Sequence, residues 1–152
     1  MRQFLLIAVL AITARVVSPK QYQAGPAVMP DDPRLLRLEQ FFAERDCPLR
    51  DSAADFLVAA DQNQLDWRLL PSIAFLESSG GKDYTNNNVL GWDSCRESFP
   101  SVQAGIHFVA AQLAKSKRYK DKDLDAKLET YNPVPEYSER VKAVMQTVGD
   151  NQ

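Results

Sequence analysis

At 152 residues, with 45% hydrophobic and 25% charged side chains, the chain has the composition of one globular domain with its own core. A formal net charge of -2 and scattered lysines and arginines exclude the basic footprint of a nucleic-acid-binding protein. One histidine and no Cys-x-x-Cys pair provide no ligand set for a metal, and nothing in the chain implies a cofactor.

The N-terminus has a basic residue at Arg2, an apolar run from Phe4 to Ile12, and Thr13-Ala14 before Arg15. This is the pattern of a secretory signal peptide, assigned to residues 1–18 with no single cleavage bond standing out. The uncharged run from Gln3 to Ala14 is about half of the roughly 20 residues that span a bilayer, so no stable membrane insertion is expected after processing. The protein is therefore expected to be exported, to the periplasm or beyond the cell. Residues 19–33, rich in Pro, Gly, Gln and Ala, read as a flexible tether to a domain over 34–149. In an oxidising compartment Cys47 and Cys95 are expected to form a disulfide, worth roughly 3–4 kcal/mol on a chain-entropy estimate. Two buried free thiols are the alternative.

The first predicted helix starts at Pro33, capped by Asp32, with Leu35, Leu36, Leu38, Phe41 and Phe42 as its apolar stripe. A second is expected from about Asp51 to Gln62, with Ala54, Leu57 and Val58 on one face and Asp61 continuing the row. Asp66 then caps a helix from Trp67 to Ser78, stopped by Gly80-Gly81. Pro71 fits there only if the helix proper begins late enough for its missing donor to be one of the free first four. Leu70, Ile73 and Glu77 fall at i, i+3 and i+7, so a carboxyl shares the inner face with two core residues. Apolar neighbours and the negative end of the helix macrodipole both disfavour its charged form. A carboxyl kept protonated beside a loop rich in amides and aromatics suits the general acid of a glycosidase.

Between Gly80 and Pro100 the periodicity fails, and Asn86-Asn87-Asn88, Gly91 and the isolated Val89-Leu90 predict turns with at most a short hairpin. Ser101 caps a helix to Ser116 with Val102, Ile106, Val109, Ala110 and Leu113 inward and Gln, Lys and His107 outward. A short helix from about Lys122 to Tyr131 turns Leu124 and Leu128 inward, and Asn132-Pro133 stops it. The last, from about Glu136 to Val148, carries Tyr137, Val141, Val144 and Met145. With no alternating strand pattern, the expected class is all-α with a small irregular or hairpin lobe.

The segments FLESSGGKDYTNNNVLGW, FPSVQAGIHFVAAQLAKSKRY and LETYNPVPEYSERVKAVM resemble the glucosaminidase-type peptidoglycan hydrolases of the lysozyme-like superfamily, the mannosyl-glycoprotein endo-β-N-acetylglucosaminidase-like domains. Leu76-Glu77-Ser78 and Tyr131-Asn132 are also similar to the Glu-Ser and Tyr-Asn steps of soluble lytic transglycosylases. The resemblance covers most of the chain from Asp66 onward. It implies a lysozyme-like helical fold and a monomeric glycoside hydrolase that cuts the N-acetylated β-1,4 backbone of peptidoglycan. Endo-β-N-acetylglucosaminidase chemistry is the first expectation, with muramidase or lytic transglycosylase chemistry as alternatives. It makes Glu77 the general acid, sets Tyr131 across the cleft as a second catalytic group, and puts Asn88, Gly91 and Trp92 in the loop that lines the sugar groove. The amides of Asn86, Asn87 and Asn88 suit a sugar's acetamido and hydroxyl groups, and Ser78 beside the acid is a further substrate-binding candidate. The compressed element TYNPVPEY leaves Tyr137 as a candidate beside Tyr131.

Glycoside cleavage needs a proton on the leaving oxygen and stabilisation of an oxocarbenium-like centre. Asp83, Asp93 and Glu97 are the nearby carboxylates, and spacing selects none of them; the substrate's acetamide could serve instead. A nucleophilic triad for peptides or esters has no support in a chain with one histidine. The competing expectation is a non-catalytic cell-wall-binding or secretion-accessory domain that keeps the groove without turnover.

Overall fold

Asp32 opens the helical region by accepting a hydrogen bond from the amide of Arg34 at 2.8 Å, which satisfies one of the donors a helix leaves free at its start. The computed structural model describes residues 30–150; the expected signal peptide at 1–18 and residues 19–29 of the expected tether lie outside the described residues. Helix α1 (Pro33–Ala43) leads through a 3-10 turn (Pro48–Ser52) to α2 (Ala53–Asn63) and α3 (Leu69–Ser78). An irregular stretch follows, then α4 (Val102–Lys115), α5 (Leu124–Tyr131) and α6 (Tyr137–Gly149). Among the described residues there is no strand, so the class is all-α. The lobe between α3 and α4 is irregular rather than a hairpin. Asn86, Asn87, Asp93, Ser94 and Cys95 all have positive φ there, which is incompatible with extended pairing.

The core is built from Leu38 and Phe42 of α1, Phe56 and Leu57 of α2, Leu70 and Ile73 of α3, and Ile106 and Leu113 of α4, none more than 1% exposed. Burying each such side chain stabilises the fold by about 1.5–3 kcal/mol. Helix α2 packs on α4, and α6 packs on both α3 and α1. The expected stripe of α1 holds at Leu38, Phe41 and Phe42 with Leu36 the exception, whereas that of α2 is rotated. Leu36 is exposed, because the buried row of α1 runs through Leu38, Phe41 and Phe42. Ala54 faces solvent, because α2 buries Ala53, Phe56, Leu57 and Ala60. Asp61 ends up beside α1, where its Oδ1 accepts from Arg34 Nη1 at 2.8 Å. His107 is buried rather than on the outer face of α4, and burial pushes its pKa down.

Helix α3 begins two residues after the expected start. Asp66 instead caps a turn, accepting from the Arg68 amide at 2.9 Å and from its guanidinium at 2.6 Å. Pro71 is therefore the third helical residue, where a missing donor costs no hydrogen bond. At the other end Ser79 is left-handed with φ 51°, followed by Gly80 and Gly81 at 69° and 89°.

The expected Cys47–Cys95 disulfide does not form; both are free thiols. Cys47 is packed behind the end of α3, where a Cβ on Gly80 would lie 2.3 Å from its sulfur. Its thiol approaches the carbonyls of Arg45 and Ser79, and burial raises its pKa. Cys95 is exposed in the irregular lobe. Cys47 thus serves as a small buried side chain filling the space that Gly80 leaves open.

Candidate active site

Glu77 lies near the C-terminal end of α3, half-buried, on the wall of a cleft of about 680 Å³. Its Oε1 accepts a hydrogen bond from the Tyr137 hydroxyl at 2.7 Å. Tyr137 is the first residue of α6 and is 4% exposed, held there because α6 packs against α3. The other carboxyl oxygen meets backbone: a Cβ built on Gly91 would sit 2.5 Å from Oε2. Gly91, at φ 67°, is thus the residue that lets the loop close onto the acid.

Asn88 shapes that loop. It is 2% exposed, its Nδ2 donates to the carbonyls of Trp92 at 2.9 Å and Glu97 at 3.2 Å, and its Oδ1 accepts from the Trp92 amide at 2.9 Å. Asn87 donates to the Phe99 carbonyl at 2.8 Å and Asn86 to that of Cys95 at 3.2 Å. The asparagine run therefore folds the loop on itself, and none of the three lines the cleft. Ser78 is also turned away. Its Oγ donates to the Ala74 carbonyl at 2.8 Å and accepts from the Gly81 amide at 3.1 Å, closing the end of α3. Of the residues expected at the sugar, Gly91 and Trp92 are the ones that line the cleft.

Trp92 is half-buried at the centre of an aromatic chain. Its ring lies 5.7 Å from Tyr131, 5.8 Å from Tyr119 and 6.0 Å from Phe108. Tyr131 in turn stacks on Tyr137, with centroids 6.4 Å apart and planes 9° from parallel. The Tyr131 hydroxyl, however, donates to the Leu90 carbonyl. Tyr131 thus lines the cleft without bonding the acid, and Tyr137 is the phenol in contact with Glu77.

Burial raises the pKa of both phenols well above the ordinary tyrosine range, with the charge of Glu77 adding to the effect, and burial also raises that of Tyr119. The Tyr137 hydroxyl is accordingly a lasting donor, not a base. The folded state keeps these protons where the unfolded chain releases them, so stability is full below about pH 10 and falls as pH rises further. Denaturant melts of the wild type should lose stability progressively above pH 10. Tyr131→Phe should flatten that slope, and an unchanged slope would show that its phenol does not titrate on unfolding.

Among the nearby carboxylates, Asp93 lines the cleft but pairs with Arg96 at 2.6 Å, while Asp83 and Glu97 lie outside the lining. Glu129 of α5 lines it as well. Sequence reading did not single out Glu129, whose only signal is a polar position two residues before Tyr131. Among the described residues no group of three or more His, Cys, Asp and Glu side chains converges as a metal site would require.

No protein-family model matches the chain, and no curated protein matches it. Among solved structures it is similar to a C-terminally truncated glycoside hydrolase domain from Salmonella typhimurium FlgJ. The TM-score is 0.53 at 15% sequence identity, and the match covers 76% of this chain and 99% of the other. The two share a fold.

Proposed function

We propose that this protein is an exported glycosidase that cuts the N-acetylated β-1,4 backbone of peptidoglycan, with Glu77 as proton donor to the glycosidic oxygen. The observation that carries this reading is the setting of the Glu77 carboxyl in the cleft wall, one oxygen bonded by Tyr137 and the other against Gly91. A fixed phenol donor on Oε1 leaves Oε2 as the oxygen that presents the proton. Likeness in fold to the Salmonella glycoside hydrolase domain supports the reading at a coarse level. Asp93 is tied to Arg96, which leaves Glu129 of the cleft lining and the substrate's own acetamide as groups to stabilise the sugar cation, and the reading takes the acetamide. The leaving oxygen takes the proton as the C–O bond breaks, the acetamide oxygen closes on the sugar carbon, and water then opens that ring and returns a proton to Glu77.

Incubation with cell-wall sacculi and analysis of the released muropeptides tests this. A reducing end at N-acetylglucosamine assigns a glucosaminidase, one at N-acetylmuramic acid a muramidase, and a 1,6-anhydro end a lytic transglycosylase. Equal release by wild type and Glu77→Gln would sink the catalytic assignment. Glycan binding without products from wild type would select a non-catalytic groove, a reading favoured by the absence of an unpaired carboxylate beside Glu77 within the loop.

The two tyrosines should separate in the same assay. Tyr137→Phe removes the hydrogen bond that holds the Glu77 carboxyl in place and is expected to lower kcat about 2–10-fold with KM little changed. Tyr131→Phe should cost less, since its hydroxyl bonds the Leu90 carbonyl and not the carboxyl, and Phe keeps the ring that stacks on Tyr137. The reverse order would reassign the partner of the acid.

A further inference from the structure

Two cations line the cleft, Arg96 and Arg118. Arg96 is neutralised locally, donating to Asp93 Oδ1 at 2.6 Å and to the Asp93 carbonyl at 3.1 Å. Arg118 is held differently. Its Nη2 donates to the Thr130 carbonyl at 3.1 Å, and its guanidinium carbon lies 5.7 Å from the centre of the Tyr119 ring. Tyr119 is itself 3% exposed and packed on Trp92, so the guanidinium rests on a rigid support. Among the described residues no carboxylate forms an ion pair with it.

A guanidinium carries five N–H donors in a planar fork, and only one is used here, which leaves a face suited to bidentate capture of a carboxylate. Arg118 is an exposed side chain, and the carbonyl and the aromatic ring orient its guanidinium while leaving the other donors open to a ligand. Glu129, on the same cleft wall, makes no pair with Arg118 and weakens its pull on an anion, which keeps the expected effect moderate.

We infer that Arg118 is a specificity-determining residue that binds a carboxylate carried by the glycan, an inference that rests on the glycan-cleaving reading above. Every second sugar of a peptidoglycan strand bears a lactyl arm that ends in a carboxylate or continues into a peptide with carboxylates of its own. A strand of N-acetylglucosamine alone is neutral. Glu77 and Arg118 line one cavity, so a strand seated at the acid brings such an arm toward the guanidinium.

Calorimetric titration of the full chain carrying Glu77→Gln, which binds without turnover, tests this with four probes. They are peptide-free glycan strands, the same strands methyl-esterified on the lactyl arm, peptide-bearing strands, and neutral chito-oligosaccharides. Esterification is expected to weaken binding about tenfold, and Arg118→Gln to weaken binding of the acidic strands by the same factor while leaving the esters unaffected. Arg118→Lys should restore part of the loss, which a purely structural role would not allow. Arg118-dependent binding of the peptide-free strands places the recognised carboxylate on the lactyl arm; such binding of the peptide-bearing strands alone places it on the peptide. Equal weakening of acidic, esterified and neutral strands by Arg118→Gln, no effect on any, or no binding of any glycan would overturn the inference. Product release from wild type is scored separately: its failure removes the glycosidase, while carboxylate-dependent binding through Arg118 would still stand.

Discussion

Glu77→Gln is expected to reduce muropeptide release from sacculi by about 10²–10⁴-fold, the usual contribution of a positioned general acid. The substitution is nearly isosteric. The amide oxygen can still accept from Tyr137, whose hydroxyl lies 2.7 Å from Oε1, and the amide nitrogen takes the space that Oε2 occupies against Gly91. What is lost is the transferable proton. Thermal melts should therefore move little, within about the ±0.5 kcal/mol of an unremarkable polar substitution. A large fall in melting temperature with the fall in activity would instead mark Glu77 as a structural partner of α6.

Gly91→Ala is expected to do the opposite, damaging both activity and fold. Its Cβ would lie 2.5 Å from Oε2 and 3.0 Å from Cδ of Glu77, distances that neither group can accept unmoved. Either the carboxyl swings away from Tyr137 or the loop from Asn88 to Trp92 lifts off α3. A misplacement of about 1 Å at a reacting group costs on the order of 10²-fold in rate. The left-handed φ of 67° adds about 1–2 kcal/mol of strain for a residue with a side chain. Muropeptide assays and denaturant melts on the same preparation separate the two effects. Full activity in Gly91→Ala would show that the contact with the acid is irrelevant to turnover.

Glu77 is legible because its position on α3 is a matter of spacing: the row that buries Leu70 and Ile73 carries it to the same face. Tyr137 is harder to read. The period of α6 correctly buries it with Val141 and Met145, but periodicity ranks whole side chains and does not say that a phenol oxygen ends at an acid on another helix. Tyr131 has the better sequence match and the worse geometry, since its hydroxyl is taken by the Leu90 carbonyl. The asparagines mislead for a related reason. An amide that binds sugar and an amide that folds its own loop have the same composition, and here the backbone carbonyls are closer.

The phase of α2 is ambiguous in sequence because an alanine-rich helix has several equally apolar faces, so Ala53 and Ala54 differ only by which one meets α4. The disulfide expectation drew on compartment chemistry without geometry. The fold places Cys47 in the niche beside Gly80 and Cys95 on the exposed lobe, and both remain free. Arg118 carried no sequence signal, being one of several basic residues between Lys115 and Lys122. Only its contact with Thr130, twelve positions away, distinguishes it from a solvated neighbour.

The bond between Tyr137 and Glu77 spans sixty residues, and its donor opens the last helix. Contacts of such sequence separation cost more loop-closure entropy than local ones. During synthesis α3 and the asparagine loop emerge well before α6 exists. The acid is then without its phenol, and Tyr131 of the cleft wall is without the ring it stacks on. The complete site is thereby available only once α6 has been made and has packed on α3.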